Sequence, residues 1–442
     1  MKKLINIFKG DRVVWMVFLL LSIISLVAVY SAIGRFAITK LGTSPTGGFF
    51  KHLCVVLATY VVVIILSNFN YRIFSRLAQW GYWASVVLLT VMAAIGSRWL
   101  RIPGLGQFQP SEIAKVLAIM YTARLLSQSP EEIEEKDGFI RILIALRVIK
   151  NGVTQKVMFW RVVAAIGLVS ALILPENFST AALVFLSCYI LMFFADIDKR
   201  SWFRLLLIAL VLVGLGLFVS VKLGDKVTVF RSETWGNRIE HWLHPDYDDL
   251  AQENIAKMAI ARGKITGVGI GNTIHARLMT QGENDFIYAI ILEEGGMFMG
   301  IIILAIYSLF FFRCIRISWR CKGNFGSLTV AGLGTVIYLQ ALVNMCVAVG
   351  VLPVTGQTLP FISYGGTAYL FLGSSIGVIQ AVAYDNGLKS KENKKKQEAA
   401  RKESTATTKQ QSKEETPIPE KTGKSKPNNN TYEDIFADMD NI

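Results

Sequence analysis

The chain has 442 residues, 52% apolar and 18% charged, with a formal net charge of +14 and a mean hydropathy of +0.44. Soluble domains carry about 25% charged residues, so this composition excludes an ordinary soluble enzyme. Recurrent apolar runs of about 20 residues make it a polytopic helical membrane protein, and its excess of Lys and Arg reads as a match to anionic membrane lipid, with no nucleic-acid role.

In chain order, residues 1–13 carry Lys2, Lys3, Lys9 and Arg12 and read as a cytoplasmic N-terminus. Residues 14–388 read as a transmembrane domain, all-α, with ten spans at approximately 14–34, 51–67, 79–96, 112–128, 157–174, 179–195, 202–222, 285–312, 327–350 and 366–385. No small-residue cleavage site follows the first run, so it reads as a retained span and not a signal peptide. Lys115 and Arg124 interrupt the fourth span, and only Pro175-Glu176-Asn177-Phe178 separates the fifth from the sixth, which predicts a tight helical hairpin. Basic residues follow spans two (Arg72, Arg76), six (Lys199, Arg200) and eight (Arg313, Arg316, Arg320, Lys322), whereas the turns at 175–178 and 351–365 have none. An even number of spans and this charge asymmetry put both termini in the cytoplasm.

Residues 223–284 then form the largest extracytoplasmic loop, with a helical pattern over 251–262, glycines at 263, 267, 269 and 271, and Trp235 and Trp242 suited to an interface. From Lys389 the chain turns polar, and 389–442 reads as a disordered cytoplasmic tail. It ends in an acidic segment with aromatic and aliphatic anchors, 432–440, which reads as a partner-binding helix or a frayed terminus. The five cysteines lack metal or redox spacing and read as small hydrophobes.

Chemistry-bearing residues gather at the extracytoplasmic side. Asp285 stands where the long polar loop gives way to span eight, and a carboxylate there faces a cavity or pathway more often than lipid. After span three come Arg98 and Arg101, then Gln109, Pro110, Ser111, Glu112 and Lys115. Glu112 and Lys115 are i,i+3 neighbours and read either as an ion pair closing the bundle or, through Lys115, as a holder of an anionic head group. Arg262, Lys264, His275 and Arg277 surround the loop glycines, and these glycines follow no strand, which excludes a dinucleotide fingerprint. His241 and His244 have metal-ligand spacing, but no matching set completes it. Glu293 and Glu294, about 12–14 Å along span eight from Asp285, read as hydrogen-bonded structural acids or as a cavity floor. The uncharged, Pro- and Gly-rich stretch 350–366 predicts non-helical backbone at membrane depth, a re-entrant cavity wall.

Three of these segments together resemble the SEDS family (shape, elongation, division and sporulation) of bacterial membrane proteins. They are Gln109-Pro110-Ser111-Glu112 with Lys115; Asp285-Phe286-Ile287 followed by Glu293-Glu294; and Pro353-Val354-Thr355-Gly356 with Leu359-Pro360-Phe361-Ile362-Ser363-Tyr364-Gly365-Gly366. The resemblance covers nearly the whole membrane portion. It implies a peptidoglycan glycosyltransferase that polymerises lipid II, an undecaprenyl-pyrophosphate disaccharide-pentapeptide, on the outer face of the bacterial cytoplasmic membrane, beside a class B penicillin-binding protein. The family's essential aspartate falls on Asp285. The chain departs from the family pattern at Asn284 and Tyr288, in the 279–283 stretch, and at Leu174-Pro175-Glu176-Asn177. The long tail resembles the division branch more than the elongation branch, which implies a septal location and other division proteins as partners.

On this reading Asp285 is the catalytic base for the acceptor hydroxyl. Arg98, Lys115, Arg262, Lys264, Arg277, Ser363 and Tyr364 are candidate substrate contacts. Gln109, Pro110, Ser111, Glu112, Glu293, Glu294, Pro353, Gly356, Pro360, Gly365 and Gly366 shape the cavity. The residues show no metal site, and a divalent cation remains open as a helper at the pyrophosphate. A lipid II flippase, an elongation-type polymerase and a division scaffold are the competing readings.

Overall fold

The computed structural model describes residues 8–36, 45–102, 106–129, 131, 155–223, 252–279 and 282–388. The extreme N-terminus, Trp235, Trp242, His241 and His244, most of the first half of the 223–284 loop, and the polar segment 389–442 lie outside the described residues.

Each expected span falls on a helix. These are α1 (Arg12–Phe36), α2 (Pro45–Ser67), α3 (Tyr71–Ile95), α4 (Pro110–Ser127), α5 (Gln155–Ile173), α6 (Phe178–Phe194), α7 (Lys199–Leu223), α9 (Ile287–Arg320) and α10 (Asn324–Ala348), with α11 over Gly366–Leu388. Between α7 and α9 lies a shorter helix, α8 (Gln252–Gly263), on the predicted loop pattern. Among the described residues six helices are long and apolar enough to cross a membrane unaided, and two shorter apolar ones form the α5–α6 hairpin. One element breaks the all-α expectation: a small antiparallel hairpin, β1 (Leu100–Ile102) with β2 (Gly106–Phe108), pairing Leu100 with Phe108. Three-residue strands give too short an alternation to register as a pattern in sequence.

Local signals set the helix ends. Asn70 caps α3, its side chain accepting from the Arg72 amide at 3.0 Å, and Gly96 stops it in the left-handed conformation at φ 70°. Pro110 opens α4 at the first turn, where no amide hydrogen is needed. Asn177 caps α6 through the Thr180 amide at 3.2 Å.

The apolar stretch of α10 is 72% buried and that of α2 only 22%, so α10 is the axis of the bundle and α2 an outer helix facing lipid. α10 packs on α9, α4 and α6, and its buried polar residues tie the bundle together. Lys115 of α4 has no exposure. It donates to Glu112 at 2.9 Å and to Gln340 of α10 at 2.8 Å, and Gln340 in turn donates to the Thr358 carbonyl at 3.0 Å. At the other end of α9, Asp11 caps α1 and pairs with Arg313 at 2.6 Å, while Gln380 of α11 exchanges hydrogen bonds with the Asp11 backbone. That cluster closes the bundle at the end remote from Asp285.

α9 is two rods. Gly296 has φ 68° and ψ −175°, which breaks the helix after two turns. The backbone groups freed by the break pair with the chain that follows α8. Val268 and Gly269 donate to the carbonyls of Glu293 and Glu294, both at 3.0 Å, and Met297 and Phe298 donate to Lys264 and Ile265 at 2.9 and 3.3 Å.

Lys115 is fully buried and Glu112 reaches only the cavity surface, so removing the lysine leaves a poorly hydrated charge, at a cost of up to about 3–5 kcal/mol. Lys115→Met is therefore expected to lower the thermal unfolding midpoint of the purified protein in detergent by many degrees. An unchanged midpoint would show that the tie between α4 and α10 carries little stability.

Candidate active site

A cavity of about 1140 Å³ opens between α2, the β1–β2 hairpin, the α5–α6 turn, the Asp285 turn and the 350–366 wall. It exceeds the upper range of small-ligand pockets, about 1,000 Å³, so it suits a long or branched ligand. Val55 and Ala58 of α2 with Leu370 and Phe371 of α11 make one side apolar. Lys51, Arg98, Gln107, Gln109, Glu112, Glu176, Asn177, Asp285, Thr355, Gln357 and Thr367 contribute polar groups.

Asp285 belongs to the turn that precedes α9, and its backbone is held from three directions. The Asn344 side chain donates to the Asp285 carbonyl at 2.8 Å and to the Gln357 carbonyl at 2.7 Å. Ser363 donates its hydroxyl to the Asn284 carbonyl at 2.6 Å and accepts from the Leu359 amide at 2.7 Å. The Tyr364 amide donates to the Glu283 carbonyl at 2.9 Å. The non-helical wall thus uses its own polar groups to fix the acidic turn. Gln357 anchors the wall to α6 by donating to Thr180 at 2.9 Å. Gly356, at φ 65°, faces the carboxylate: a Cβ there would stand 3.7 Å from Asp285 Oδ2. A side chain at that position would be strained by the left-handed backbone, while its Cβ would only touch the acid.

Electrostatics around the turn favour neutral neighbours. Burial pushes the Glu283 carboxyl above the usual carboxylate range. Burial, and after it the Glu283 charge, pushes the Tyr364 phenol up, so Tyr364 stays a neutral hydroxyl at the cavity wall. Gln109 Nε2 and Thr355 Oγ1 are buried and have no hydrogen-bond partner among the described residues, and both residues line the cavity. Such groups are costly unless a ligand or water completes them. His52, on α2, donates from Nε2 to Ser25 Oγ at 2.8 Å, because the Ser25 hydroxyl is itself spent on the Ile362 carbonyl.

Of the residues singled out in the sequence, Asp285, Arg98, Tyr364, Gln109, Glu112, Gly356, Gly365 and Gly366 come together on the cavity surface. Pro110, Ser111, Lys115 and Ser363 lie buried behind it. The Pro360 carbonyl accepts from Tyr307, and Pro353 belongs to the wall without lining the cavity. The structure places Arg262, Lys264 and Arg277 elsewhere. Arg262 is paired with Glu293 at 2.6 Å, and Lys264 and Arg277 are exposed on the loop after α8. Lys115 and Ser363 are likewise engaged in protein contacts, and none of these five lines the cavity. Glu293 and Glu294 are the hydrogen-bonded structural acids of the first alternative and not a cavity floor: Glu293 also accepts from Thr273 at 2.5 Å and from His275 at 2.9 Å, and Glu294 accepts from Ser31 and the Gly271 amide. Sequence reasoning missed Lys51, His52, Gln107 and Thr367. A cation beside a histidine at the head of an apolar run was the available signal for the first two.

The family model for the FtsW/RodA/SpoVE cell cycle proteins matches residues 11–387. A probable peptidoglycan glycosyltransferase FtsW of Lactococcus lactis is 33% identical over 349 residues, 76% of this chain and 78% of that protein. The peptidoglycan glycosyltransferase MrdB of Escherichia coli K12 is 28% identical over 344 residues, 75% of this chain and 84% of that protein. Among solved structures, a chain of a peptidoglycan synthase complex superposes with TM-score 0.61 at 22% identity, covering 85% of this chain and 98% of that one. The rod shape determining protein RodA of Thermus thermophilus does so with TM-score 0.55 at 19% identity, covering 85% and 97%. These two likenesses speak for the fold, and the family match, extending from the start of α1 to the end of α11, means that the chain belongs to the FtsW/RodA/SpoVE cell cycle protein family.

Proposed function

We propose that this chain is a peptidoglycan glycosyltransferase that polymerises lipid II for septal wall synthesis during cell division. The observation that carries the reading is the Asp285 carboxylate, pinned by its backbone and presented to a cavity that is polar at one side and apolar at the other. The substrate has the same division: a sugar–peptide head, a pyrophosphate and a prenyl chain. The apolar side between α2 and α11 accommodates prenyl chain. Gln109 and Thr355 supply hydrogen-bonding groups for hydroxyls and amides of the disaccharide. Arg98 and Lys51 are the basic side chains of the lining and offset the pyrophosphate charge.

The transfer runs as one displacement. Asp285 takes the proton of the acceptor 4-hydroxyl. The acceptor oxygen then bonds to the anomeric carbon of the donor while the bond from that carbon to the pyrophosphate oxygen breaks, and the electron pair leaves on the pyrophosphate. Among the described residues no three His, Cys, Asp or Glu side chains converge as a metal site would need. The substrate phosphates are themselves ligands for a divalent cation.

The charge pattern of the loops supports an extracytoplasmic cavity and cytoplasmic termini. The long C-terminal segment supports the division branch over the elongation branch. A class B penicillin-binding protein is the partner this reading calls for. A flippase would need a polar path through the bundle, whereas the layer around Phe18, Leu21, Phe310, Ile337, Phe361 and Ile376 is apolar.

Asp285→Asn preserves shape and removes the base. With the cognate transpeptidase present, it is expected to slow lipid II polymerisation by about 10²–10⁴-fold, and wild-type rates in that variant would overturn the assignment. Arg98→Met and Lys51→Met each remove one positive charge from the phosphate side. Their expected effect is a rise of about tenfold in the apparent KM for lipid II, a loss of about 1.4 kcal/mol; unchanged steady-state parameters would place the pyrophosphate elsewhere.

A further inference from the structure

A helix broken inside an apolar bundle persists only while other groups take up the hydrogen bonds it drops. At Gly296 those groups come from the chain after α8, in four backbone bonds. The approach leaves no room for side chains: a Cβ at Gly263, Gly267 or Gly296 would collide with backbone across the joint. Two acids then lock it. Glu293, with no exposure, accepts from Arg262, Thr273, His275 and the Ile274 amide, at 2.6, 2.5, 2.9 and 3.1 Å. Glu294 accepts from Ser31 of α1 and from the Gly271 amide.

We propose that this lock aims the Asp285 carboxylate, and that Arg262 and Glu293 are positioning residues of the transferase. The freed backbone groups of α9 can be satisfied in two ways, by the docked loop or by each other in a continuous helix. Within α9 only Gly296 departs from helical geometry, so turning that residue to helical angles is enough to switch between them. The first rod runs from Ile287 to Gly295, about 14 Å at the helical rise, with Asp285 just before its first residue, in the turn that the wall holds. A rotation at Gly296 is therefore levered along the rod onto the turn that the wall holds, and a misplacement of about 1 Å already costs about 10²-fold in rate. Releasing the loop removes the partners of the break and favours the continuous helix.

This inference rests on the polymerase reading, and it gives Arg262 a role away from the substrate. The test uses the full chain with its cognate transpeptidase and lipid II. Arg262→Met and Glu293→Gln are expected to lower kcat at least tenfold, with KM within about twofold of wild type, and Arg262→Lys to recover most of the rate. Gly296→Ala disfavours the left-handed angle and favours the continuous helix. Because a Cβ there also meets the Ile265 carbonyl, it is expected to lower the thermal midpoint and to lose kcat while keeping partner binding. Amide hydrogen exchange supplies a readout independent of activity: segment 264–271 should exchange faster in Arg262→Met. A raised KM with intact kcat in Arg262→Met would make Arg262 a substrate ligand and overturn the proposal, as would full activity in Gly296→Ala or unchanged exchange in Arg262→Met. Wild-type protein that exchanges as expected yet makes no polymer would instead refute the polymerase reading.

Discussion

Backbone amides that leave a helix within an apolar bundle must find partners, and the architecture around Asp285 follows from how this chain meets that demand. It leaves helical geometry in two neighbouring places, the break at Gly296 and the wall from 350 to 366. Both bear on the same short rod. The wall holds the turn at its start through Asn344, Ser363 and Tyr364, and the loop after α8 holds its far end through Glu293, Glu294 and the glycines. Each irregular segment finds its own partners, the wall in the Asp285 turn and the break in the loop after α8, so neither is a defect to be tolerated.

The same economy governs the buried charges. Lys115 and Glu112 neutralise each other inside the bundle and pass the connection to Gln340 and the wall. Arg262 neutralises Glu293. Asp11 and Arg313 do so at the remote end. A buried charge deprived of its partner costs several kcal/mol, which is why so many ionisable groups in this membrane domain are structural. Asp285 lines the cavity, with its backbone carbonyl held by Asn344 and its carboxylate beside Gly356. A rigid main chain beneath a side chain at the cavity surface is what the proposed role as a general base requires.

Low sequence identity to solved relatives, 19–22%, goes with coverage of nearly their whole length. Helix lengths and apolar faces tolerate many substitutions, since lipid-facing positions need only be apolar. Positions at the joint and the wall are less free, because there a glycine makes room for backbone or an amide caps a carbonyl.

How far the sequence reached can be argued residue by residue. Hydropathy placed most spans, because a helix that satisfies its own backbone in lipid must be long and apolar, and charge alternation supported the fourth, which Lys115 and Arg124 interrupt. Charge asymmetry gave an orientation, and the cost of a carboxylate at a helix mouth singled out Asp285. The Pro- and Gly-rich stretch announced a non-helical wall. What one-dimensional pattern could not decide was partnership. Arg262 and Glu293 are 31 positions apart and Lys115 and Gln340 are 225, so nothing local tells a cation that holds substrate from one that holds a buried acid. The break at Gly296 was equally hidden, since a glycine within an apolar run reads as helix until a second segment arrives to take its hydrogen bonds. Sequence determined which residues are expensive to bury; only the packed bundle decided which of them are spent deep in the protein, like Glu293 and Lys115, and which, like Asp285, reach the cavity surface.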